Sequence, residues 1–98
     1  MKFKLEFDLT PEWAAARWTG RCEISGLPFT SEKLQPLTPS IDKIDPHGGY
    51  TQTNCRFIGL ALNRFKADFS DGAILEIARA IASYHEKVDA SVALSLPA

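Results

Sequence analysis

Hydrophobic and polar residues alternate at the start of the chain. Between residues 2 and 8 the apolar positions are Phe3, Leu5 and Phe7. A period of two puts these side chains on one face of an extended chain, so the pattern predicts a short strand. The pattern then becomes helical, because Thr10 suits an N-cap and the proline after it suits the first helical position. A short helix that stops near Gly20 is the second predicted element.

The middle of the chain contains turns and two further short alternating segments. Residues 21–29 predict a tight turn between brief extended pieces, and residues 30–40, with two prolines and little periodicity, predict a loop. The glycine-containing turn at 47–50 is expected to need a positive φ angle. The other elements expected here are strands over 40–44 and 54–58 and a helix from about Leu60 to about Ala67.

A longer amphipathic helix is predicted near the C-terminus. Ser70 and Asp71 form its expected N-terminal cap, and it is expected to end at about Lys87. One apolar stripe indicates that this helix covers the core. The stripe consists of Ile74, Leu75, Ile77, Ala78 and Ile81, with Tyr84 at its flank. Residues 88–98 lack a pattern, and a docking arm, a partner contact and a frayed end all stay open.

The length and composition indicate one small domain, and the predicted strands and helices make it α+β. The chain has 98 residues, of which 45% are hydrophobic and 23% charged, which is typical of a soluble globular protein with a single core. No apolar run could span a bilayer and no signal-peptide pattern begins the chain, so we expect no membrane partner and a cytoplasmic location. Cys22 and Cys55 lack Cys-x-x-Cys spacing, so they are expected to be small buried side chains.

Charge is distributed unevenly along the chain. A net charge of −1 argues against a protein that coats DNA. Between residues 56 and 66, however, every charged side chain is positive: Arg56, Arg64 and Lys66. These residues are either a solvated face or phosphate contacts. Beside Asp42 and Asp45, they would suit a phosphate-binding face that holds a cation in its middle.

The segment from Ser40 to Lys66 carries the candidate chemistry. Its order of strand, turn, strand and helix puts the Asp42 carboxylate on a strand and the Asn63 amide on a facing helix. Oxygen donors of this kind suit a hard divalent cation that keeps positions open for water and phosphate. Asn54 is expected to hydrogen-bond across the loop between the strands. Lys66 lies three residues after Asn63, on the same helical face, and so can point toward a phosphate.

This segment resembles the ββα-metal (His-Me finger) core of the His-Asn-His (HNH) endonucleases. The family pattern has an Asp-His-Ile-x-Pro element, an Asn nine residues before a helical His, and a Lys three residues after that His. The matching residues are Asp42-Lys43-Ile44-Asp45-Pro46, Asn54-Cys55 and Asn63-Arg64-Phe65-Lys66. Residues 21–29 are similar to the lead-in of a phage and bacterial subgroup, so the resemblance covers about residues 21–68.

The resemblance implies a metal-dependent endonuclease that hydrolyses DNA phosphodiester bonds. It implies one domain over residues 1–98, with a core at about 21–68, a covering helix at about 71–87 and a tail at 88–98. DNA is the implied partner, and a homodimer or a larger nuclease assembly stays open. The implied residues are Asp42 and Asn63 for Mg²⁺ or Mn²⁺, Lys43 and Asn54 for the catalytic site, and Arg56, Arg64 and Lys66 for the DNA backbone. No structural zinc is expected, because Gly59 and Leu62 stand where relatives have a cysteine pair.

One departure from the family pattern leaves the activity open. Lys43 stands where the family has the histidine that takes a proton from water, and the neighbouring Asp42 and Asp45 favour its charged form. Lys43 would then contact phosphate, and His47 in the glycine-rich turn is either a substitute base or an ordinary exposed histidine. The alternative hypothesis is a catalytically impaired module of the same fold that binds DNA or protein without cleaving. A third is a small structural domain whose turn holds no metal.

Overall fold

The computed structural model describes residues 6–95, and the side chains of residues 6–89. In this range the chain forms three helices and one antiparallel pair of strands, which is an α+β arrangement. The elements are α1 (Pro11–Arg17), β1 (Pro39–Lys43), β2 (Cys55–Gly59), α2 (Leu60–Lys66) and α3 (Asp71–Ser95). Most of the strand predicted over 2–8 lies outside the described residues. Phe7 makes a single parallel bridge to Tyr50.

Helix α1 begins where the sequence predicts. The Thr10 side chain accepts a hydrogen bond from the Trp13 backbone N–H at 3.0 Å, and a proline fills the first helical position. Trp13 stacks on Phe57 of β2 with ring centroids 5.5 Å apart, and Trp18 meets the same ring edge-on at 5.2 Å. Aromatic pairs of this kind contribute about 0.5–1.5 kcal/mol each. They hold α1 against the sheet, although Trp18 stays 46% exposed.

The apolar core of the described residues is small. Four hydrophobic side chains are buried in it: Cys22, Cys55, Ile58 and Ile74. Both cysteines are free thiols, so the prediction that they are small buried side chains is confirmed. A core of this size leaves much of the packing to aromatic stacking and to polar contacts between the elements.

Helix α2 follows β2 without an intervening loop. Its first two backbone N–H groups, at Leu60 and Ala61, donate to the carbonyls of Thr38 and Pro36 at 2.9 and 3.1 Å. Carbonyls of the loop before β1 therefore accept hydrogen bonds from N–H groups that a capping side chain would otherwise bind. A Cβ atom on Gly59 would lie 2.9 Å from the Pro36 carbonyl oxygen, so glycine is what permits this close approach.

The glycines of the turn at 47–50 serve a different purpose from the predicted one. The prediction of a positive φ angle there is wrong, since the described glycines with positive φ are Gly20 and Gly26. A Cβ atom on Gly48 would lie 2.7 Å from the Asn54 side-chain nitrogen, and one on Gly49 would lie 2.8 Å from the backbone nitrogen of Glu6. The turn needs glycine because neighbouring groups approach its backbone closely.

Helix α3 differs most from the prediction. Ile74 is buried at 3% exposure, but the large apolar residues after it in the predicted stripe are exposed: Leu75 at 41%, Ile77 at 46%, Ile81 at 51% and Tyr84 at 65%. Val88, beyond the predicted stripe, is 37% exposed. The prediction that this helix covers the core is therefore wrong beyond its first turn. The helix also continues past Lys87 to Ser95, so part of the predicted tail is helical, and residues 96–98 lie outside the described range.

The projecting helix makes the molecule elongated. Its principal extents are 63 × 34 × 20 Å, and its radius of gyration is 17.7 Å. A compact domain of this length has a radius of gyration of about 13 Å. Neither α3 nor the two shorter helices of the described chain has the length and apolar character needed to cross a membrane.

Candidate functional site

A polar cleft lies between β1, the turn after it and α2. Its volume is about 220 Å³, and it is lined by Ile41, Asp42, Lys43, Pro46, Tyr50, Asn63, Ala67 and Asp68. Three of the predicted site residues meet there: Asp42, Lys43 and Asn63. The other five do not line it: His47, Asn54, Arg56, Arg64 and Lys66.

The Asp42 carboxylate is buried and already bound by two cations. It lies on β1 directly opposite Arg56 of β2, and its side chain is 3% exposed. The Arg56 Nε donates to Oδ2 at 2.9 Å, and the Lys66 ammonium donates to both carboxylate oxygens at 3.1 Å. A buried carboxylate requires such partners, because an unpaired charge is costly in a low-dielectric interior.

The Lys66 ammonium sits in a cradle of oxygen atoms. Besides both oxygens of Asp42, it donates to the backbone carbonyls of Lys43 at 2.7 Å and Ile44 at 3.4 Å. A carboxylate oxygen of Asp71 lies 3.4 Å away. The side chain is completely buried, at 0% exposure, so it does not reach a surface where a phosphate would bind. The expected phosphate contact is therefore replaced by an internal one.

Arg56 and Asp71 complete a network of four charged groups. The second guanidinium nitrogen of Arg56 donates to Asp71 at 2.7 Å, so two cations and two carboxylates balance each other. This hydrogen bond, supported by the positive charges of Arg56 and Lys66, holds the pKa of Asp71 below its usual value. Sequence analysis placed Asp71 only in the cap of α3. Charge balance could have identified it in the sequence: two cations that surround one buried carboxylate require a second carboxylate nearby.

The Asn63 amide fixes α2 to β1. Its nitrogen donates to the Ser40 hydroxyl at 2.6 Å and to the Ile41 carbonyl at 3.1 Å. The partner Ser40 was not among the predicted site residues. The amide therefore presents its nitrogen, a donor, to the strand that carries Asp42.

Asn54 makes the cross-loop hydrogen bonds that the sequence predicts. Its side-chain oxygen accepts from the Asp45 backbone N–H at 2.8 Å, and its nitrogen donates to the carbonyls of Asp45 and Gly49 at 3.0 Å. These bonds close the turn between the strands. Lys43, at the edge of the same turn, donates to the Pro46 carbonyl at 3.1 Å and lies 5.0 Å from the centre of the Tyr50 ring.

Two predicted residues lie at the surface, away from the cleft. His47 is exposed, and its backbone N–H donates to the Asp45 carboxylate at 2.9 Å. Arg64 is exposed on α2, where it lines a shallow depression with Leu34 and Gln35. Their proposed roles as substitute base and phosphate contact stay predictions.

The Asp42 carboxylate is not available to a divalent cation as it is arranged, because both of its oxygens accept hydrogen bonds from Lys66. The Asn63 nitrogen donates to β1, and these bonds do not engage the amide oxygen that the sequence predicts as a ligand. A cation bound to Asp42 would face the Lys66 ammonium at short range, where like charges repel strongly. Among the side chains of residues 6–89, no three of His, Cys, Asp or Glu form a group that could hold a metal ion.

Comparison of the chain with protein-family models, curated proteins and solved structures finds no match. The resemblance to HNH endonucleases therefore rests on the sequence motifs quoted above.

Proposed function

We propose that this domain is a catalytically impaired module of the HNH type, which binds a partner without cleaving phosphodiester bonds. One observation carries the proposal: the Lys66 ammonium occupies the cation position beside Asp42. The β1–β2–α2 order and the Asn54 loop closure support the relationship to the ββα core. The internal ion pairs support the loss of its metal chemistry.

The residue at the general-base position supports the same proposal. A general base must have a lone pair within reach of the water that it deprotonates. Lys43 is a hydrogen-bond donor to Pro46 and contacts the Tyr50 ring as a cation. An ammonium in these contacts has no lone pair to offer. Lys43 thus stabilises the turn instead of activating water.

The charge distribution favours a protein over DNA as the partner. Two of the three expected phosphate contacts, Arg56 and Lys66, are paired with Asp42 and Asp71 inside the molecule. Only Arg64 of that set is exposed, and the chain has a net charge of −1. DNA binding depends strongly on cations that neutralise phosphates. Helix α3 instead exposes several large apolar side chains along its length, which suits contact with a protein.

A supercoiled-plasmid nicking assay with Mg²⁺ or Mn²⁺ tests the proposal. The wild type, Asn63→Ala and Lys43→His are compared, and circular dichroism shows that each is folded. We expect no nicking by any of them, because restoring a histidine does not free Asp42. We also expect no metal-induced rise in melting temperature. Nicking by the wild type that disappears in Asn63→Ala would refute the proposal.

The second candidate is the metal-dependent DNA endonuclease implied by the motif. The observation that favours it is the cleft, which gathers Asp42, Lys43 and Asn63 in one place. This function requires Lys66 to leave Asp42 when a divalent cation binds. Titration with Mg²⁺ would then raise the melting temperature of the wild type and leave that of folded Asp42→Asn unchanged. An absence of any shift in the wild type counts against this candidate.

A further inference from the structure

The exposed side of α3 has the spacing of a helix-pairing seam. Its large apolar residues are separated by four, three and four positions: Ile77, Ile81, Tyr84 and Val88. This alternation is that of the a and d positions of a coiled coil, which form one narrow stripe on a helix. Ile74 stands three positions earlier and is buried within its own domain. The domain therefore covers Ile74, the first residue of this seam, and leaves the next four seam residues exposed.

We propose that α3 pairs with α3 of a second copy of this chain, in an antiparallel, two-fold symmetric dimer. In such a pair an a position packs against a d position of the other helix. Ile77 of one copy then faces Val88 of the other, and Ile81 faces Tyr84. Two-fold symmetry repeats both contacts. The resulting four layers use each exposed seam residue once.

Charged residues beside the seam favour this orientation. Glu76 and Lys87 are eleven positions apart, which places them about 20° from each other around the helix and on the same side of the seam. In the antiparallel register given above, Glu76 of one copy lies within one helical turn of the position facing Lys87 of the other. Opposite charges meet twice in the dimer. In a parallel pair the two residues would stay about 16 Å apart along the axis, and neither would meet its opposite.

The length of α3 supports the pairing. The helix has 25 residues and is about 37 Å long, and most of it extends away from the small core. In the proposed register Asp71 of one copy faces the position of residue 94 of the other. The folded bodies of the two copies therefore lie at opposite ends of the helix pair and do not compete with each other for space.

The expected interface is small. Each copy contributes four large apolar side chains, which places the contact at the lower end of the size range for specific interfaces. The dimer is therefore expected to form reversibly and to depend on protein concentration. The small side chains of Ala78 and Ala80, which flank the seam, allow close approach of the two helices.

Sedimentation velocity of the full chain, over about a hundredfold range of concentration, tests the proposal. We expect the wild type to shift from monomer to dimer. Ile81→Asp, in the seam, should stay monomeric throughout the range. Arg79→Asp is the matched control and should dimerise like the wild type, because Arg79 is exposed and lies two residues from both Ile77 and Ile81, on the opposite side of α3.

A charge exchange tests the orientation and the identity of the partner. Lys87→Glu alone should weaken dimerisation by about tenfold, because two attractive pairs become repulsive. Combining Lys87→Glu with Glu76→Lys should restore it. A wild type that stays monomeric, a control that fails to dimerise, or a double variant no better than Lys87→Glu would overturn the proposal. The oligomeric state is independent of the nicking result, because self-association does not require the domain to be inactive.

Discussion

The β1–β2–α2 unit and helix α3 distribute charge and apolar surface in opposite ways. In the first, Lys66 and Asp42 are almost completely buried. Hydrogen bonds to each other, to Arg56 and to backbone carbonyls compensate their charges. In the second, isoleucine, tyrosine and valine side chains face outward. The comparison teaches that the two regions are stabilised by different contacts. The buried charges are paired within the chain, whereas the exposed apolar side chains of α3 have their proposed contacts in a second copy.

The largest expected effect comes from breaking the buried charge network. Asp42→Ala removes the carboxylate that Lys66 and Arg56 share and leaves the buried Lys66 ammonium with only the more distant carboxylate of Asp71, at 3.4 Å. Removing one partner of a buried ion pair costs about 3–5 kcal/mol. Urea unfolding monitored by circular dichroism measures this change in the free energy of unfolding.

A double variant provides the control for this prediction. Asp42→Ala combined with Lys66→Met removes both charges and should recover part of the lost stability, since no unpaired ammonium remains. A single variant within about 1 kcal/mol of the wild type would contradict the prediction. It would mean that water solvates the Lys66 ammonium. The difference between the buried charges and the exposed apolar residues of α3 would then be smaller than the exposed fractions of the side chains indicate.

Two isoleucines three residues apart sharpen the comparison within α3 itself. Ile74→Ala is expected to cost about 2–4 kcal/mol, because it leaves a cavity in the core. Ile77→Ala, at an exposed position, should cost under about 1 kcal/mol in the monomer. Urea unfolding at a concentration well below that of dimer formation measures both. Equal losses would show that the stripe is buried against the domain after all.

The smallest expected effect is a dependence of stability on pH at the junction of the two regions. The pKa of Asp71 is lowered in the folded state, chiefly by its hydrogen bond from Arg56. Its contribution is therefore fully present above the unfolded pKa of about 3.9 and is lost as the pH falls through the lower folded value. Asp71→Asn should melt below the wild type at neutral pH and approach it in acid.

Melting curves between neutral and acidic pH measure this difference. Glu86→Gln, at an exposed position on α3, is the control and should follow the wild type at every pH. A constant difference between Asp71→Asn and the wild type across the range would indicate that the lost contact is not governed by ionisation of this carboxyl group.

Local features of the fold could be predicted from the sequence because their causes lie within a few residues. The Thr10 cap, the two short strands and the Asn54 closure of the turn depend on neighbouring groups. The direction of Lys66 could not be predicted in the same way. Its spacing from Asn63 identifies the helical face on which it lies. The contacts of its ammonium group depend on Asp42, Asp71 and two carbonyls that are distant in the sequence.

The exposure of α3 illustrates a second limit of sequence analysis. An apolar stripe indicates that one face of a helix avoids water, but it does not say whether the domain or another molecule covers it. The predicted core contact is correct for Ile74 and wrong for the large apolar residues from Leu75 onward. The difference arises because the short elements before α3 provide surface for only one turn of the helix.

The direct junction of β2 and α2 has a consequence for how the length of this chain can change. Gly59 ends the strand and Leu60 begins the helix. One residue inserted between them would rotate α2 by about 100° and shift it by about 1.5 Å, which would turn Lys66 away from Asp42. The exposed stretch at 31–34, before the Pro36 carbonyl that binds α2, carries no such constraint on helix phase. Natural length variation in proteins of this architecture should therefore occur in that stretch and avoid the junction.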